Sequence, residues 1–167
     1  MTASPGFEQV LPEHVDSDLF DALVIRTDFS DNASWNAVLD ELRRPWGPEG
    51  EFPGSVQVVD APPWSGASAD EVLAAVDECW SVVFIADRIT MQSPLRALLA
   101  LSTGWEDVSA LDHVYYQELI ESPEPRGFRT MPAAVHGIHT DLALGNVNFA
   151  EYAEAADEEP GRVLRPL

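Results

Sequence analysis

The sequence predicts an α/β domain: one open, mostly parallel sheet with helices on its faces and an edge strand able to run antiparallel. Three observations carry this. Short apolar, β-branched runs recur at residues 22–27 (ALVIRT), 55–60 (SVQVVD) and 81–86 (SVVFIA). Helix-period stretches separate them. Runs this apolar suit strands covered on both sides, as parallel strands joined by crossover helices are. At 167 residues the chain has the length of one domain, and 46% of it is hydrophobic, enough for a core.

The elements follow in order. Residues 1–20 read as an irregular acidic lead-in, and residues 21–156 as the single domain. After the first strand, residues 28–31 (DFSD) supply turn and cap chemistry. Trp35, Val38, Leu39 and Leu42 then mark one face of a helix. Residues 45–54 hold three prolines and three glycines and form a loop. Past the second strand, Ser68 with Glu71 makes a capping box, opening a helix whose stripe is Val72, Val76, Cys79 and Trp80. The third strand precedes a fourth at 97–102 (ALLALS), for which a helix is the alternative. Leu111, Val114, Tyr115 and Leu119 fit a helical face inside an acidic insertion, residues 104–127. Residues 128–135 read as an edge strand, because Pro132 interrupts them. Asn148 and Glu151 cap a last helix with Phe149, Tyr152, Ala153 and Ala156 on its stripe, and residues 157–167 read as a frayed tail.

Charge is the most unusual property. The chain has 29 acidic residues against nine basic ones, a net charge of −20, and every base is arginine. Repulsion at this charge argues against partners made of nucleic acid or anionic membrane, and favours basic proteins or cations. More than half of the acids lie in three stretches without lysine or arginine: 1–21, 104–124 and 141–159. Clustering of this kind suggests a charged face, provided the three stretches meet in space. The single cysteine, Cys79, fits a reducing compartment, and the N-terminal residues lack the pattern of a secretory signal. A cytoplasmic location is expected.

Residues 21–35 (DALVIRTDFSDNASW), 83–87 (VFIAD) and 128–153 (FRTMPAAVHGIHTDLALGNVNFAEYA) resemble a family of bacterial, mainly actinobacterial, proteins of unknown function. The resemblance implies a cytosolic α/β domain and carries no activity and no assigned residues.

Candidate chemistry is sparse. Asp28, Asp60 and Asp87 each follow a predicted strand. Carboxyl ends of parallel strands gather at one sheet edge, where ligands bind, and three carboxylates there would suit Mg²⁺. The competing reading makes them caps of turns and helices. His136 and His139, with Asp141 nearby, have a spacing that zinc uses, but a zinc site needs more ligands than these two histidines. Cys79 reads as a packing residue. No nucleophile elbow, P-loop or dinucleotide fingerprint is present, so no catalytic residue is assigned. Trp105, Glu106, Asp107, Asp112, Glu118 and Glu121 combine an aromatic with carboxylates, as protein-binding surfaces do. The leading expectation is a non-enzymatic acidic protein of the immunity, inhibitor or nucleic-acid-mimic kind that binds a basic protein partner and needs no cofactor. The alternatives are a divalent-cation enzyme or sensor built on the strand-end aspartates, and a small-molecule binder.

Overall fold

The computed structural model describes residues 21–76, 80–104, 111–121 and 125–166. The lead-in, Cys79, Trp105, Glu106 and Asp107 lie outside the described residues.

Six strands form one open sheet: β1 (Ala22–Arg26), β2 (Val56–Val59), β3 (Val82–Ala86), β4 (Leu98–Ser102), β5 (Gly127–Thr130) and β6 (Val163–Leu164). Their order is β2-β1-β3-β4-β5-β6. β1 is parallel to both β2 and β3, and β5 is parallel to β6. Only β4 opposes its neighbours. The expected mixed α/β sheet is therefore present, with its antiparallel strand inside the sheet. The edge position expected for residues 128–135 falls instead to β6. Pro132 lies beyond β5, in a 3-10 turn (Pro132–Ala134), where its missing N–H costs the ladder nothing.

Side chains alternate across the sheet and build two cores. On one face Ala22, Val24, Phe84, Leu98 and Ala100 meet helices α1 (Asn32–Leu42), α5 (Val135–Leu144) and α6 (Phe149–Glu158) through Trp35, Val38, Leu42, Val135, Ile138, Ala153 and Ala156. Met91, from the short α3 (Arg88–Gln92), joins that face. On the other face Leu23, Ile25, Val83 and Ile85 pack against Trp64, Trp80 and Val72, the last from α2 (Ala69–Ala75). Every residue of β1 and β3 is buried. This explains the apolar sequence of β3 and of β1 up to Ile25.

Local signals explain most helix starts. Asp31, Ser68 and Asn148 accept from the amides of Ser34, Glu71 and Glu151 and cap α1, α2 and α6. Gly145, at φ 73°, closes α5 in the left-handed conformation that a side chain would strain. Three elements depart from expectation. α2 ends at Ala75, short of Trp80. Residues 135–144 form α5, which overlaps the expected strand only at Val135. Residues 111–116 are turns, and helix α4 covers only Gln117–Glu121, so Val114 and Tyr115 face solvent.

The tail is also structured. Val163 and Leu164 are buried, and β6 pairs with β5 in the register Arg129 with Val163 and Thr130 with Leu164. The packed domain thus extends past residue 156. Leu164→Ala should cost about 2 kcal/mol or more in urea unfolding. A loss under about 0.5 kcal/mol, the size of an ordinary surface change, would show that the tail does not pack.

Candidate functional site

Because β1, β2 and β3 run the same way, Asp28, Asp60 and Asp87 do reach one sheet edge. They do not converge there. Arg26 ends β1 on the face of Ala22 and Val24, beneath α1. It is only 4% exposed, and each of its guanidinium nitrogens has a partner. Its Nε donates to the Asp28 carbonyl at 2.8 Å and its Nη2 to Asn32 Oδ1 at 2.8 Å. Its Nη1 reaches Asp60 Oδ1 at 3.5 Å. The guanidinium also lies over the rings of Phe29 and Trp35, at 4.5 and 5.2 Å from their centres. Trp35 Nε1 donates to the other Asp60 oxygen at 3.1 Å.

Asp87 belongs to a second network on the opposite face. Both its oxygens accept from Arg129, each at 2.8 Å, and Oδ1 also caps α3 through the amide and hydroxyl of Thr90. Arg129 alternates with Phe128 along β5, so it points away from α1. Burial pushes the Asp87 carboxyl up, but the bonds and charge of Arg129 and the cap bonds from Thr90 outweigh it. Its pKa falls below the usual 3.8. Asp28 is spent locally, accepting from the amide and hydroxyl of Ser30.

The three aspartates are thus caps and arginine counterions held on different faces. Among the described residues, no group of three or more His, Cys, Asp or Glu side chains is placed to hold a metal ion. Sequence reasoning missed Arg26, Asn32, Arg129 and the role of Trp35. One signal was available: an arginine closing a run of buried aliphatics needs partners near the strand end.

His136 and His139 are buried on α5 and are not exposed ligands. His136 Nε2 donates to the Leu42 carbonyl at 2.6 Å, and its ring stacks on Trp46 at 5.6 Å. His139 packs against Trp80. Asp141 instead accepts a hydrogen bond from the Tyr152 hydroxyl. Burial holds the His136 pKa below 6.5, against opposing pulls from the Leu42 carbonyl and Asp21.

The other candidate surface is residues 111–121. Asp112 Oδ1 accepts from the amides of Val114 and Tyr115 at 2.8 and 3.2 Å, an Asx turn that fixes the chain. Beyond it Val114 is 83% exposed, Tyr115 85% and Tyr116 44%. Glu118 and Glu121 follow on α4, both exposed. Of the residues expected to bind a partner, Asp112, Glu118 and Glu121 lie on this segment.

The fold and these two regions define a mixed-sheet α/β domain with an arginine-locked strand edge and an exposed, acidic aromatic turn. Residues 21–166 match the family described as a domain of unknown function, DUF6924, and the chain belongs to that family. No curated protein matches the chain.

Two outcomes test the buried groups. Arg129→Gln should cost about 2 kcal/mol, because it leaves the Asp87 carboxylate half-buried without its partner. Asp87 contributes stability above pH 3.8 that is lost as pH falls through its lowered folded value. In Arg129→Gln that acid loss should shrink, because without the guanidinium burial lifts the folded value back toward 3.8, as read by urea unfolding across pH. For His136 the unfolded chain takes up the proton first. Stability should therefore be insensitive to this residue above pH 6.5 and fall as pH drops below it. A His136→Gln variant should lose that part of the slope, and an identical slope in both proteins would refute the assignment.

Proposed function

We propose that this protein is a non-enzymatic acidic binding module that acts in the cytoplasm and recognises a basic protein partner through residues 111–121. One observation carries the reading: Val114 and Tyr115 are more than four-fifths exposed in a segment whose charged neighbours are all acidic. Large apolar groups held in solvent mark interaction surfaces. Aromatics dominate the energetics of such surfaces, while surrounding charge selects the partner and speeds encounter. The chain's −20 charge excludes like-charged polymers and draws in cationic ones. Immunity proteins, inhibitors and nucleic-acid mimics share this design.

An arginine-rich peptide serves as the probe. It should bind at about 0.05 M salt and weaken at least tenfold by about 0.3 M, as the Debye length shrinks below the spacing of the charges. Glu118→Gln with Glu121→Gln should weaken binding several-fold at low salt and leave folding unchanged. Absence of binding, or binding indifferent to salt and to both substitutions, would overturn the proposal.

A further inference from the structure

We infer that Tyr115, Tyr116 and Glu118 form a receptor for one arginine side chain of that partner, an inference that rests on residues 111–121 being the partner surface. Val114, Tyr115, Tyr116, Gln117 and Glu118 line a depression of about 350 Å³. That is the small end of the range for ligand pockets, roughly 300–1,000 Å³. It suits a side chain better than a cofactor. Two tyrosines and a glutamate are among the residues that line it. A ring face attracts a cation, and a carboxylate accepts two parallel N–H bonds from a guanidinium. Arginine satisfies both at once because its charged group is planar, whereas an ammonium is a compact, strongly hydrated point charge.

The depression is built in advance. Asp112 fixes the turn through its bonds from Val114 and Tyr115, and the Tyr116 amide donates to the Asp112 carbonyl at 2.9 Å. The Ile120 amide then donates to the Tyr116 carbonyl at 3.0 Å, which carries the turn directly into α4. Gln117 Nε2 donates to Glu121 Oε1 at 3.0 Å, so the Gln117 amide is tied to the carboxylate one turn on. A turn ordered before binding avoids the entropy of ordering it on binding.

The segment does not carry a cation of its own. Residues 104–124 contain no arginine or lysine. The nearest arginine in sequence, Arg126, pairs with Asp70. Charge complementarity therefore calls for a guanidinium from another molecule.

The experiment compares two probe peptides on the full chain with labelled tyrosine rings. One is acetyl-Gly-Arg-Gly-amide; the other replaces arginine by citrulline, which keeps the shape and loses the charge. The arginine peptide should shift the ring resonances of Tyr115 and Tyr116, and the citrulline peptide should not. Tyr115→Phe should bind as the native chain does. Tyr115→Leu, which keeps apolar area and loses the ring, should bind about threefold more weakly, and so should Glu118→Gln. Both side chains are exposed, so these variants should fold. Equal shifts with citrulline, or native affinity in Tyr115→Leu, would overturn the receptor. The arginine-rich peptide separates the two levels. If it still binds with salt sensitivity while Tyr115→Leu has no effect, the acidic surface stands and the receptor falls; if neither peptide binds, both fall.

Discussion

Arg26 closes a strand that is buried on both faces, and a guanidinium cannot remain there unless its donors are met. The segments that meet them come from three places in the chain. The loop after β1 gives the Asp28 carbonyl, the first residue of α1 gives Asn32, and the end of β2 gives Asp60. Trp35 then binds the same Asp60 and lies beneath the guanidinium. One cation thus ties the loop after β1, the first residue of α1 and the end of β2 together. The second arginine, Arg129, does the equivalent on the opposite face by tying β5 to the start of α3 and, at 3.2 Å, to the Ala97 carbonyl just before β4.

This use of arginine shapes the rest of the molecule. Only nine bases oppose 29 acids. Arg26, Arg126, Arg129 and Arg165 all lie within ion-pair distance of a carboxylate. What remains of the positive charge cannot neutralise the surface, and residues 104–124 contain no arginine or lysine. The strand-end carboxylates and the surface carboxylates therefore serve different ends. Asp60 and Asp87 are counterions within the fold; Glu118 and Glu121 lie exposed on the surface.

Much of the fold was legible because local chemistry and burial agree. β1 and β3 read as continuous apolar runs since both their faces are covered, and Asp31, Ser68 and Asn148 announce their helices by capping. α5 was hidden because two of its buried positions are His136 and His139. Val135, His136, Ile138 and His139 have helical spacing, but a reading that counts histidine as polar breaks the stripe. α3 has five residues, too few to show a period, and β6 has two, which pair with a strand far away in sequence. The site was legible in position and not in role. That parallel strands would bring three aspartates to one edge followed from topology. That two of them would meet arginines depended on Arg26 lying 34 residues from Asp60, and Asp87 42 residues from Arg129, separations that no local pattern reports.

The strand edge depends on the buried arginine at the end of β1 and its long-range partner. A double-mutant cycle with Arg26→Met, Asp60→Asn and the pair, followed by urea unfolding, measures that interaction directly. The structure predicts a coupling of about 1 kcal/mol, with the double variant less damaged than the two single losses added together. Losses that add to within about 0.3 kcal/mol would show that Arg26 and Asp60 are independent, and the strand edge would then need another explanation.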